Sequence, residues 1–167
     1  MEFVMGRRVI LRTIHGSCLY GTNHKDSDTD WYEVYLTGKN HQAVVNGVDT
    51  TKVNLETFVR LIDKGVPQAI EALFSPYSVY NVEWRPFLSA LQPNVTNARH
   101  TYRRTIKSQF LAGAPKKIKH AVRLSWNIID LETNGWYNPR LDQNHVNMLV
   151  SMTTDQARRI VAGVLDD

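Results

Sequence analysis

The stretch that most constrains this chain is His15-Gly16-Ser17-Cys18-Leu19-Tyr20-Gly21-Thr22, followed closely by Ser27-Asp28-Thr29-Asp30. It sets a small-residue turn after the apolar run Val9-Ile10-Leu11. It then places two carboxylates, two residues apart, at the mouth of a second apolar run, Trp31 to Leu36. In a strand from Asp28 to Leu36, side chains alternate across the sheet and Asp28 and Asp30 point to the same side. Two such carboxylates repel, and a hard divalent cation relieves the repulsion. Mg²⁺ in particular is held by one or two carboxylates together with substrate phosphate oxygens. Glycine at position 16 lets backbone N–H groups, Ser17 included, come close to a phosphate. The spacing therefore points to metal-assisted attack on a nucleoside triphosphate. The plainer alternative is a pair of carboxylates that cap a loop in water.

The length of 167 residues suits one well-filled core and is short for two independent domains. No apolar run reaches the length of a membrane span, and the apolar part of Met1 to Arg8 is too short for a secretory signal. The one cysteine, Cys18, excludes an internal disulfide framework and agrees with a reducing cytoplasm. Its place in the glycine turn invites a nucleophilic role, against the commoner one of small buried filler.

Charge is unevenly spread. Residues 1–98 carry nine Lys or Arg against ten Asp or Glu, whereas residues 99–167 carry eleven against six. The excess sits between Arg99 and Arg123, where Arg99, Arg103, Arg104, Lys107, Lys116, Lys117, Lys119 and Arg123 occur without an acid. Such a cluster is the footprint expected for a polyanion, either a triphosphate or an RNA backbone. The alternative is a solvated helix face.

Pattern and punctuation predict a first strand over Arg7 to Ile14, a loop over Asn23 to Ser27, a second strand over Asp28 to Leu36, a short strand over Gln42 to Asn46 and another over Asp49 to Val53. Asn54 is a plausible cap for a helix from Leu55 to Lys64. Gly65 stops that helix, and Pro67 opens a second over Gln68 to Phe74. Tyr77 to Asn94 reads as an aromatic connector with a short helix near Phe87 to Leu91. Tyr80 and Trp84 offer either base-stacking platforms or packing. Helices follow over Thr96 to Ala112, Lys116 to Thr133 and Asp155 to Leu165. In the Lys116 helix, Ile118, Ala121, Val122, Ser125, Ile128 and Ile129 form one face, and Lys119, Arg123, Trp126 and Asp130 another. Lys119 and Arg123 then point together as a phosphate clamp, with Arg123 preferred for its fork of donors. His120 is read as a packed or hydrogen-bonded histidine, with proton transfer as the alternative. Glu71 reads as a helical surface or hydrogen-bonding acid, with a functional acid as the alternative, and Arg140 could reach the site in a direction the sequence does not fix.

The string Gly-Ser-x-x-Tyr-Gly-Thr-x-x-x-x-Ser-Asp-x-Asp, from Gly16 to Asp30, resembles the signature of nucleotidyltransferases of the DNA polymerase beta superfamily. The branch it is similar to is the RNA-repair-associated, RlaP-like one, often found in bacteria and phages. Leu55-Glu56-Thr57-Phe58, leading through Gly65-Val66-Pro67 to Glu71-Ala72-Leu73-Phe74-Ser75-Pro76, resembles a second segment of that family. Lys117 to Leu124, followed by Leu131-Glu132-Thr133-Asn134-Gly135, resembles a third.

The resemblance implies an α/β (α+β) fold, a small mixed sheet with helices packed against it and a helical C-terminal part. It divides one domain into a catalytic part over 1–76, a connector over 77–94 and a basic helical part over 95–167. The early position of Gly16 leaves no room for a full helix ahead of the first strand, as in larger members. The resemblance also implies Mg²⁺, with Mn²⁺ as a substitute, on Asp28, Asp30 and a third carboxylate. That third group is Asp49, with Glu56 as rival. Nucleotide contacts fall to Gly16, Ser17, Tyr20, Gly21, Thr22 and Ser27, with Lys119 and Arg123 beside them. The implied reaction transfers a nucleoside monophosphate to an acceptor hydroxyl, an RNA (tRNA) end above all. Nucleotidylation of a protein or a small molecule, and a non-catalytic RNA-binding module, are the alternatives.

Overall fold

A computed structural model describes residues 8–166. Arg7, at the start of the expected first strand, and Met1 to Arg7 of the segment weighed as a signal lie outside the described residues. Among the described residues five strands form one sheet in the order β3-β4-β2-β1-β5. Their bounds are β1 Val9–His15, β2 Asp30–Tyr35, β3 His41–Val45, β4 Val48–Asn54 and β5 Val79–Tyr80. Only the β2–β4 pair is parallel, with Trp31 opposite Thr50 and Val34 opposite Val53, so the sheet is mixed as expected. Among the described residues the eight helices are α1 Gly16–Tyr20, α2 Leu55–Asp63, α3 Pro67–Phe74, α4 Arg85–Ala90, α5 Val95–Ala112, α6 Pro115–Asn134, α7 Gln143–Ser151 and α8 Thr154–Leu165.

Alternation sorts the sheet into two faces. Leu11, Thr13, Tyr32, Val34 and Val53 face inward and are buried, under α2 and α3. The opposite face carries Arg12, Trp31, Glu33, Tyr35 and Lys52. There Glu33 is bracketed by Arg12 at 3.2 Å and Lys52 at 4.0 Å, and it accepts a hydrogen bond from the Tyr35 hydroxyl at 2.7 Å. Asn54 caps α2 by accepting from the Thr57 N–H at 2.8 Å, as its position predicts.

The core has two lobes. One gathers sheet residues with Phe58, Ile62, Ala69, Ala72, Leu73 and Leu88. The other gathers α5, α6 and α8 around Tyr102, Ile106, Leu124, Ile128, Tyr137 and Val161, and includes Ile70. Helix α3 belongs to both, and Phe74 packs against each. Polar bonds reinforce the junction, because Asn97 donates to the Asp63 carbonyl at 2.8 Å and Thr101 to the Lys64 carbonyl at 2.7 Å.

Two sequence expectations are corrected here, and one element is added. Strand β2 begins at Asp30, because β1 runs out at His15 and His15 is the rung opposite Asp30. Asp28 therefore lies in the preceding loop, and strand alternation does not set its direction. Within the segment read as a connector, Val79 and Tyr80 pair with Arg12 and Leu11 as an edge strand that the sequence did not show. Helix α6 does not have one apolar and one polar face. It is buried at Ala121, Val122, Arg123, Leu124, Ser125, Asn127, Ile128 and Leu131, while Ile129 is 46% exposed. A helix packed on several sides loses the one-stripe pattern of a surface helix.

Arg123 shows the consequence most clearly. Its guanidinium is buried and reaches the equally buried Glu71 carboxylate on α3 at 2.5 Å. Removing one partner of a buried ion pair leaves the other charged and unpaired, at a cost of about 3–5 kcal/mol. Glu71→Ala is expected to lose about that much in urea-induced unfolding, and Glu71→Leu combined with Arg123→Met to recover most of it.

Candidate nucleotide site at the end of the sheet

The site is assembled where β1 ends and β2 and β4 begin. His15 is the cross-strand partner of Asp30. The parallel register that sets Trp31 beside Thr50 puts Asp49 beside Asp30. His15, Asp30 and Asp49 therefore line up across three adjacent strands on one face. The charges of Asp30 and Asp49 both reach the His15 imidazole.

Immediately after His15 the chain turns through Gly16 at φ +64. A β-carbon at that position would stand 2.7 Å from the Asp30 carboxylate oxygen Oδ2. Glycine is required there on two grounds, the left-handed backbone and the close approach of the carboxylate. Asp28 is exposed. Its carbonyl accepts from the Cys18 thiol at 3.5 Å, and its carboxylate faces the β3–β4 turn, 3.7 Å from where a β-carbon of Gly47 would be. Asp49 accepts from Gln42 at 3.0 and 3.3 Å. Glu56 is exposed in the first turn of α2.

Among the described residues no three His, Cys, Asp or Glu side chains converge on a ready-made metal cage. Carboxylates at Asp28 and Asp30 beside a glycine turn fit the other mode of holding Mg²⁺, in which one or two carboxylates act with phosphate oxygens.

The remaining residues of the motif divide by role. Ser17 is half-buried at the start of α1. Thr22 is exposed, and its N–H, like that of Gly21, bonds the Ser17 carbonyl. Ser27 closes the loop on itself: its hydroxyl accepts from the His24 N–H at 2.9 Å and its own N–H bonds the His24 carbonyl. Tyr20 turns inward, contrary to its assignment as a nucleotide contact. Its hydroxyl donates to Glu71 at 2.8 Å, and the Arg123 guanidinium stacks 3.4 Å from its ring centroid.

Arg123 is thereby withdrawn from the expected phosphate clamp, because its charge is matched inside the fold by Glu71. Lys119 is exposed but lines a separate cavity of about 110 Å³ with Gly113, Met152 and Thr153. The two cations expected to point together do not.

The buried network has clear electrostatic signs. The Glu71 carboxyl is held below its ordinary value of 4.5: burial opposes this, and Arg123, His15 and Tyr20 outweigh it. Burial pushes the His15 imidazole below 6.5, and Arg123 adds to the effect. His120 is lowered to about 4, first by burial and then by Arg123, whose Nη2 lies 2.9 Å from its Nδ1. Both imidazoles are therefore neutral near pH 7. The hydrogen-bonded reading of His120 stands, as does the packing reading of Trp84 and Tyr80, whose hydroxyl bonds the Leu73 carbonyl at 3.3 Å.

Three participants went unassigned in sequence. His15 was passed over although it sits directly before Gly16. Glu71 reads in sequence as a helical surface or hydrogen-bonding acid, of which the structure bears out the second, and the sequence does not fix the direction of Arg140. The only signal for Glu71 was an acid inside the apolar run Ala69-Ile70-Glu71-Ala72-Leu73-Phe74, which asks for a buried partner.

The family model RlaP, described as an RNA repair pathway DNA polymerase beta family, matches residues 2–159. No curated protein matches the chain.

The pKa directions fix a pH dependence. His120 has a lowered folded-state pKa, so between pH 6.5 and about 4 the unfolded chain binds a proton that the folded chain does not, and stability falls as pH drops through that window. The stabilisation tied to the depressed Glu71 value is present above 4.5 and is lost below it. Urea midpoints measured from pH 7 to 4 should fall. His120→Asn, which keeps an acceptor for Arg123 but cannot titrate, should lessen the decline above pH 4.5 and leave the part due to His15, whose value is lowered as well.

Proposed function

The chain belongs to the RNA repair pathway DNA polymerase beta family, and on that premise we propose that it is a metal-dependent nucleotidyltransferase acting on RNA. It transfers a nucleoside monophosphate from a nucleoside triphosphate to an acceptor hydroxyl at an RNA end, a tRNA end among them, and releases pyrophosphate. The observation that carries the reading is the Asp30 carboxylate pressed against the Gly16 backbone, with Asp49 beside it on β4 and Asp28 on the adjoining loop. The acidic groups and the glycine backbone that would receive phosphates thus adjoin one another.

In this reading the backbone N–H groups of Gly16 and Ser17 receive the terminal phosphates. Asp28 and Asp30 hold Mg²⁺, or Mn²⁺ in its place, and Asp49 faces the acceptor. The bound metal supplies charge neutralisation at the phosphates and lowers the pKa of a hydroxyl near it. The acceptor oxygen attacks the α-phosphorus as the bond to the β-phosphate oxygen breaks. Pyrophosphate leaves with that electron pair, and the acceptor proton passes to Asp49. Gln42, bonded to both Asp49 oxygens, orients that carboxylate.

Basic residues on α5 and at the start of α6 supply the RNA contact. Arg104, Lys107, Lys116 and Lys117 are exposed, whereas Arg99 is paired with Glu132. Contacts of this kind to phosphates are sequence-independent and weaken with salt. No described helix is long and apolar enough to cross a membrane.

The test is incubation of the purified chain with Mg²⁺, each α-labelled nucleoside triphosphate in turn, and tRNA or a protein mixture. Label is expected on RNA, with stoichiometric pyrophosphate. Asp28→Asn with Asp30→Asn should lower the rate by about 10³-fold or more while the thermal midpoint is kept. Label confined to protein would replace RNA as the acceptor. RNA binding that the double variant preserves, with no pyrophosphate from the parent, would leave only a binding module. Gly16→Ala is expected to lower the rate by at least about 10²-fold, because the added β-carbon displaces the Asp30 carboxylate.

A further inference from the structure

A triphosphate brings several negative charges into a site already holding carboxylates, and the two cations expected to meet it lie elsewhere. Arg123 is neutralised by Glu71, and Lys119 lines another cavity. One guanidinium does stand at the glycine turn. Arg140, from the loop between α6 and α7, packs against Gly21, whose φ is +79. A β-carbon there would lie 2.8 Å from the guanidinium carbon and Nε. Its Nη1 donates to the Cys18 carbonyl at 3.1 Å. Cys18 in turn contacts the Asp28 carbonyl through its thiol, so a single residue separates Arg140 from the carboxylate loop.

The loop that presents Arg140 is itself anchored. The Leu141 N–H bonds the Tyr20 carbonyl at 3.1 Å, the Arg140 N–H bonds the Asn138 side chain at 3.0 Å, and Pro139 is buried. The Arg140 side chain is nevertheless exposed, and it makes no ion pair among the described residues. Nη1 is its only side-chain nitrogen with a protein acceptor there, so Nε and Nη2 keep their donors for a ligand. A planar fork with free donors, fixed in place by one bond and without a carboxylate, matches phosphate oxygens in charge and shape.

We propose that Arg140 is the cation of the nucleotide site and binds the triphosphate of the incoming nucleotide, the role expected for Arg123 and Lys119. The inference rests on the nucleotidyltransferase reading above. It also accounts for Gly21, which leaves the space the guanidinium occupies. A purely structural role would use only the bond to Cys18, and a neutral donor could keep that bond. A phosphate-binding role needs the charge.

The test is titration calorimetry of the full chain with Mg²⁺ and a non-hydrolysable ATP analogue, beside adenosine as the phosphate-free probe. Arg140→Gln, which retains an N–H for the Cys18 carbonyl, is expected to weaken analogue binding at least tenfold. Adenosine binding and the ligand-free thermal midpoint should stay unchanged. Arg140→Lys, which keeps the charge but loses the fork, should bind the analogue more weakly than the parent and more tightly than Arg140→Gln. In turnover assays the loss should fall mainly on KM for the triphosphate. Arg60→Gln on the far helix α2 serves as the charge control and should bind as the parent does.

Arg140→Gln binding the analogue as tightly as the parent would overturn the assignment while leaving the transferase reading intact. A parent that binds none of the four nucleoside triphosphates would overturn both.

Discussion

The interaction on which the rest depends is the buried pair between Glu71 and Arg123. A carboxylate and a guanidinium that are both out of water are tolerated only when each meets the other and the leftover hydrogen-bonding groups are satisfied. Here Glu71 also accepts from the Tyr20 hydroxyl, and Arg123 also meets His120 and the face of the Tyr20 ring. The pair is thus the centre of a polar cluster drawn from α1, α3 and α6. It ties the helical lobe to the short helix that follows the glycine turn. A five-residue helix is too short to hold its shape alone, since a costly nucleus is repaid only over more turns. Its Tyr20 ring is clasped by Arg123 and its last carbonyl by Leu141. The helical lobe therefore sets the shape of the turn at Gly16.

This arrangement separates two uses of positive charge. Inside the fold, Arg123 stabilises an acid the apolar interior could not otherwise hold. At the surface, Arg104, Lys107, Lys116 and Lys117 remain in water, where they respond to salt and to polyanions. At the boundary stands Arg140, anchored to the backbone of α1 and open on its outer side. The carboxylates show the same gradation. Glu71 is spent structurally, while Asp28 and Asp30 keep their oxygens at the end of the sheet next to a turn that admits no side chain at Gly16.

Sequence reasoning was strongest where local chemistry decides. Asn54 as a cap, Gly65 as a helix stop and Pro67 as a helix start are signals contained within a few residues, and the corresponding helices begin and end within a residue or two of the expected bounds. The Gly16 to Asp30 motif located the end of the sheet for the same reason. Where a long-range partner decides, the reading failed. Arg123 has the spacing of a surface residue beside Lys119, and nothing nearby announces that Glu71, 52 positions earlier, will face it. The two-residue strand β5 exists only because β1 offers an edge. Helix α7 is rich in Asn, Val and His, which are weak helix formers. It stands on its Asp142 cap, whose side chain accepts from the His145 N–H. Arg140 could not be directed from sequence because its loop takes its course from the bond between Leu141 and Tyr20.

The central claim is that the end of the sheet, held in shape by this buried cluster, gathers divalent metal and triphosphate in one place. Paramagnetic broadening in an NMR titration of the isotope-labelled chain with Mn²⁺ and a non-hydrolysable triphosphate tests it most directly. The account predicts that the amide signals of Gly16, Ser17, Asp28, Asp30 and Asp49 broaden first and together, while those of α5 and α8 persist. Broadening that begins on the helical lobe, or that leaves the glycine turn untouched at saturating metal and nucleotide, would contradict it.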